Sequence, residues 1–112
     1  MKSDRAYVSD ILAYARRLQG HVEGATYEQF STEAWMQDAA FRCLEVIGEI
    51  VKRLTPAFRA KHPTIPWPRI AGFRDVLAHG YDILDHELCW KVIQENVPEL
   101  IAELEKVEQG SG

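Results

Sequence analysis

The chain is short of several things that would have assigned it a function quickly. No apolar run approaches the ~20 residues that a bilayer-spanning helix needs. The opening residues, "MKSDRAYVSD", lack the apolar stretch of a signal peptide. The expectation is a cytoplasmic protein with no membrane association. Only two cysteines occur, Cys43 and Cys89, far apart in apolar helical surroundings and without C-x-x-C spacing. Buried free thiols follow, with neither a disulfide nor a redox or zinc centre. His21, His62 and His86 show no H-x-x-x-H pattern and no matching carboxylate spacing, so no metal site and no cofactor is expected. Period-2 alternation, internal repeats and low-complexity segments are missing too, which removes sandwiches, barrels and solenoids from consideration.

What remains is helical. With 112 residues, 46% of them hydrophobic, the composition suits one small domain, here placed at residues 1–108 with a flexible tail at 109–112. Val8, Ile11, Leu12, Ala15, Leu18 and Val22 recur at helical spacing behind Ser3, a candidate N-cap, and predict a helix over 4–22. After a connector, "GATYEQFST", a second stripe of Met36, Ala40, Cys43, Leu44, Ile47, Ile50, Val51 and Leu54 predicts the longest helix, capped by Ser31 or Thr32 and ended before Pro56. Its other face carries Asp38, Arg42, Glu45, Glu49 and Lys52. Gly48 interrupts it at a cost of ~1 kcal/mol relative to alanine, which implies a close neighbour there.

Four of the five prolines fall in "TPAFRAKHPTIPWPRIAG", so a short helical turn and an extended crossing are expected before a third helix from Pro66–Pro68 to Leu77 or Ala78. A last helix opens near Asp85, and Pro98 must kink or split it. Together these predict an all-α, antiparallel four- to five-helix bundle.

Charge is segregated along the chain. The formal net charge is −4, yet residues 50–74 contain Lys52, Arg53, Arg59, Lys61, Arg69 and Arg74 and no acid, while residues 82–112 carry eight acids against Lys91 and Lys106. This run is either a solvated surface or an anion-facing zone that ends at Arg74.

At Arg74 begins "RDVLAHGY", which sets an arginine, a histidine and a tyrosine within eight residues. In a regular helix His79 would lie ~140° from Arg74 at 100° per residue. A helix closed by Gly80 in the left-handed conformation would instead let His79 and Tyr81 turn back toward Arg74. His79 would then sit at the negative end of the helix dipole, suited to proton transfer near neutral pH. Arg74 offers a fork suited to phosphate. The same residues would serve as ordinary helix-end polar groups, with His79 as a C-cap and Arg74 tied to Asp75 or Asp82.

The segment "RDVLAHGY" fits the R-x4-6-H-x-Y signature of the HEPN superfamily. Its setting, "DAAFRCLEVIGEIVKRL … IPWPRIAGFRDVLAHGYDILDHELCWKVI … VPELI", resembles the HepT-like ribonuclease toxins of toxin–antitoxin pairs over nearly the whole chain. It departs from the family at Asp75, where many members carry asparagine.

The resemblance implies a HEPN-like homodimer that cuts RNA, transfer or messenger, without a metal at facing Arg74–His79 motifs. In it Asp75 and Gly80 are supporting residues. Tyr81 is the residue that a partner minimal nucleotidyltransferase modifies with AMP to silence the toxin. Lys52, Arg53 and Arg69 become candidate RNA contacts. Two other readings stand beside it: a non-catalytic helical adaptor that docks on a nucleotidyltransferase, and a structural bundle whose polar trio only ends a helix.

Overall fold

Apolar spacing along the first and third helices builds the centre of the structure. A computed structural model describes residues 2–79 and 83–110. Helix α1 (Asp4–Val22) starts where Ser3 accepts the Ala6 N–H at 3.1 Å, and it buries the whole expected stripe from Val8 to Val22. Helix α3 (Ala34–Val51) lies along it and buries Met36, Ala40, Cys43, Leu44, Ile47 and Val51, with Ile50 only partly covered. At 18 residues α3 is one shorter than α1, so the expected order of lengths is reversed. Each fully buried leucine or isoleucine in this core is worth about 1.5–3 kcal/mol.

Between them, the expected connector contains a helix of its own, α2 (Tyr27–Thr32). Thr26 accepts the Gln29 N–H while the Gln29 side chain accepts the Thr26 N–H, both at 3.2 Å, a reciprocal cap that stabilises even a six-residue helix. Ser31 and Thr32 are therefore the end of α2, their hydroxyls donating to the Glu28 carbonyl, and the cap position of α3 is Glu33.

Helix α4 (Pro56–Lys61) is the expected short turn, capped by Thr55, which also donates its hydroxyl to Asp4 at 2.6 Å and so fastens α4 to α1. The third expected helix is two: α5 (Trp67–Ala71) and α6 (Phe73–Leu77), which meet at Gly72. Trp67, Ile70, Phe73 and Leu77 keep one buried face through the break. Trp67 fixes the start of α5 by donating its indole N–H to the carbonyls of Arg59 and His62.

Gly48 has the close neighbour that its position implied. A Cβ there would stand 2.8 Å from the Ile70 carbonyl oxygen and 3.2 Å from that of Ala71. The missing side chain is what lets α5 lie directly on α3.

Helix α6 is followed by a two-residue antiparallel ladder, β1 (Ala78–His79) with β2 (Ile83–Leu84), a small strand pairing that the absence of period-2 alternation had not suggested. Helix α7 (His86–Lys91) leads through a π-helical turn, Val92–Asn96, into α8 (Val97–Gln109), so the last helix is divided, and the interruption expected at Pro98 is a widened turn just before it. Arg16 joins α8 to α1 through Glu105 at 2.8 Å. The outcome is an all-α bundle, and no helix among the described residues is long and apolar enough to cross a membrane.

Both thiols are buried and free. Burial pushes the Cys89 thiol up to about 12, with the Asp85 carboxylate adding to the effect, and burial raises Cys43 as well. For Cys89 the folded value lies above the ordinary thiol range near 8.5. Its contribution to stability is thus complete below that range and is lost as pH rises from about 9 toward 12. The native protein is expected to resist iodoacetamide at pH 8.5 and to label at both cysteines only in denaturant, as intact-mass spectrometry would read.

Candidate active site at the end of α6

Helix α6 is only five residues long, and its sequence divides by side. Phe73 and Leu77 point into the core, while Arg74 and Asp75 are exposed. The helix stops at Leu77 because Ala78 takes an extended conformation, φ −121° and ψ 142°, while its N–H is still bonded to the Arg74 carbonyl. His79 follows, exposed, in the first strand of the ladder. The expectation that Gly80 closes the helix is thereby corrected: the chain leaves it two residues earlier, and His79 belongs to a strand rather than to a helix C-terminus. Gly80 itself, Tyr81 and Asp82 lie outside the described residues.

Two anchors hold this corner. The Asp85 N–H donates to the Leu77 carbonyl at 2.7 Å, and the Asp85 carboxylate accepts the Leu88 N–H at 3.0 Å as the expected N-cap of α7. One residue thus closes the loop that carries His79 and starts the next helix. Replacing Asp85 by alanine is expected to cost about 1 kcal/mol through the lost cap, seen as a lowered thermal midpoint in circular dichroism. Asp85→Asn should retain most of it.

The Arg74 side chain is 73% exposed and reaches across to α3, where its Nη1 stands 3.6 Å from Glu45 Oε2. Glu45 Oε1 meets Arg42 Nη1 at 3.2 Å. A carboxylate between two guanidinium groups orients both at little cost in mobility, since exposed pairs of this kind contribute ~0–1 kcal/mol. Among the described residues Arg74 is therefore paired with Glu45 of α3 rather than with Asp75, while Asp82 lies outside them. The sequence reading put Glu45 on the charged face of α3 without assigning it to the site, and only the packing of α6 on α3 brings it to Arg74.

Lys52 lies against Glu49 at 3.0 Å. Arg53 and Arg69 are exposed and have no ion-pair partner among the described residues. Beside the ladder, a cavity of about 180 Å³ opens between the first turns of α3 and the strands. No cluster of three or more histidine, cysteine, aspartate or glutamate residues suited to a metal is found among the described residues.

Arg74 on the exposed side of α6 and His79 in β1, five residues on, keep the spacing of the motif read from the sequence. The chain belongs to the HepT-like ribonuclease family, whose model, "Ribonuclease HepT-like", matches residues 11–107. A protein of Caldanaerobacter subterraneus subsp. tengcongensis named "Putative RNase" is 38% identical over 109 residues, 97% of each chain. A Methanocaldococcus jannaschii protein of the same description is 37% identical over 103 residues, covering 92% of this chain and 89% of its own. The "Probable ribonuclease HepT" of Thermococcus cleftensis is 33% identical over 106 residues, 95% of this chain and 96% of that one. No solved structure matches the chain significantly.

Proposed function

We propose that the protein is a metal-independent endoribonuclease in which Arg74 and His79 carry the chemistry, with Asp75 and Gly80 in support. The observation that carries this reading is the exposure of both groups on one short corner, α6 to β1, in a chain whose family is ribonucleolytic. The ribose 2′-oxygen attacks the adjacent phosphorus as the bond to the 5′-oxygen breaks. His79 takes the proton from the 2′-hydroxyl or supplies one to the leaving 5′-oxygen. Arg74, poised by Glu45, stabilises the charge on the phosphate oxygens. One imidazole cannot be base and acid at the same moment, so a homodimer that brings two copies of His79 to one cleft completes the mechanism.

The same reading makes the protein a toxin of a toxin–antitoxin pair, acting in the cytoplasm on transfer or messenger RNA. A minimal nucleotidyltransferase would silence it by placing AMP on Tyr81, since a phosphate beside Arg74 competes for the anion site. Lys52, Arg53 and Arg69 supply counter-charge to the RNA backbone. Residues 1–108 form the single domain of this reading, and 109–112 its tail.

The test is cleavage of total RNA by purified protein in EDTA, followed by mass spectrometry after co-expression with such a transferase. Cleavage in EDTA together with a mass gain of one AMP that abolishes it is the expected result. A protein that takes AMP yet never cuts RNA in either state would instead be an adaptor.

A further inference from the structure

Next to His79 the structure holds a cavity that the proposed chemistry does not use. It measures about 180 Å³, enough for one heterocycle, and its walls include Phe41 of α3 with Ala78, Ile83 and Leu84 of the ladder. Ile83 is the direct ladder partner of His79, so the strand that carries the imidazole also forms the cavity wall. Ile83 is 58% exposed, so its side chain is accessible to an apolar face of a ligand.

The polar lining is Gln37 and Asp38 of α3 and His86 at the start of α7. Gln37 gives its amide N–H to the Phe30 carbonyl at 2.8 Å, which leaves its own carbonyl oxygen as the free end. Asp38 brings a carboxylate with no ion-pair or hydrogen-bond partner among the described residues. Two acceptors and the His86 imidazole therefore face a space walled by Phe41 and the ladder. One turn toward the helix start, Trp35 is 57% exposed on the side of α3 that carries Asp38, with its indole N–H held by Glu33 at 2.6 Å. In the other direction the same side runs to Glu45, the partner of Arg74, seven residues or about 10 Å from Asp38.

We propose that this cavity is a nucleobase subsite adjoining the cleavage site, and that Asp38 makes it selective for bases carrying an exocyclic amino group over uracil. Single-stranded RNA is read by stacking on apolar and aromatic side chains and by hydrogen bonds to splayed base edges. A carboxylate accepts from the exocyclic amino groups of cytosine, adenine or guanine, whereas uracil carries a carbonyl oxygen in place of that group and offers only an N3–H flanked by two oxygens. The inference rests on the ribonuclease reading and deepens it, because base selection beside His79 would decide which phosphate reaches the imidazole.

Two measurements test it. In the first, four oligonucleotides that differ only in the base beside the scissile phosphate are cut by wild type and by Asp38→Asn. Wild type is expected to disfavour uracil by at least about fivefold, and the variant, whose amide both donates and accepts, to bring the ratio close to one. In the second, the four nucleoside 5′-monophosphates are titrated into the His79→Ala protein and followed at the Ile83 methyl resonances. AMP, CMP and GMP should shift them and UMP should not.

If wild type cuts none of the oligonucleotides, the ribonuclease reading fails while the titration still decides the subsite. Equal cutting of all four, or equal shifts by all four nucleotides, overturns the subsite and leaves the nuclease standing. An Asp38→Asn variant that changes the sedimentation coefficient but not base preference marks the cavity as a protein interface, and the proposal falls.

Discussion

Alanine at His79 is expected to reduce RNA cleavage by roughly 10²–10⁴-fold, the usual contribution of a positioned general acid or base, with no change in thermal midpoint. Alanine at Arg74 should cost roughly 10²–10³-fold by removing stabilisation of the developing phosphate charge. The structure explains why activity and stability separate here. His79 and Arg74 are both exposed, and the ion pair of Arg74 with Glu45 at 3.6 Å is too solvated to hold the fold together. Arg74→Lys keeps the charge but not the planar fork, so an activity between wild type and alanine is expected. Initial rates on a labelled RNA, with melting curves run in parallel, check all three. Equal rates in wild type and His79→Ala would remove this site from the chemistry.

The second large effect is structural. Gly48→Ala is expected to destabilise the protein by about 1–3 kcal/mol, the cost of overpacking a close interface, although alanine is the better helix former by ~1 kcal/mol. The steric term wins because the atoms in the way are backbone carbonyls. A new Cβ would meet Ile70 O at 2.8 Å and Ala71 O at 3.2 Å, and neither can swing aside as a side-chain end would. Helix α5 must move off α3, and α6, joined to it at Gly72, must follow with Arg74. Gly20→Ala in α1 provides the contrast, since nothing lies within 4 Å of its Cβ position. That variant should be neutral or slightly stabilised. Urea denaturation of the pair reads the difference directly, and a stable Gly48→Ala would mean that α5 does not rest on α3 as closely as described.

Much of the fold was legible in local patterns. The bounds of α1, the Ser3 and Asp85 caps, the buried stripe of α3 and the close approach at Gly48 all depend on spacing or on one residue's own geometry. The break at Gly72, the ladder between Ala78–His79 and Ile83–Leu84, and the helical form of the connector at Tyr27–Thr32 escaped. Each is too short for periodicity to register, and each is held by contacts formed only once the chain has folded. The candidate site divides in the same way. Arg74 and His79 could be picked out as a motif, and the end of the helix at Leu77 was expected, but the extended backbone at Ala78–His79 and the reach of Arg74 to Glu45 depend on contacts formed only in the folded chain.

The widened turn at Val92–Asn96 has a bearing on the length of the chain. An i→i+5 turn holds one residue more than the helix on either side of it requires. Losing a residue there would return the backbone to ordinary pairing and leave Leu100, Leu104 and Val107 facing inward, whereas the same loss within α3 would swing every later side chain by about 100°. The bundle thus contains a position where a codon can be dropped without scrambling the hydrophobic seam, and it lies at the junction between the half with the candidate site and the helix that closes the core.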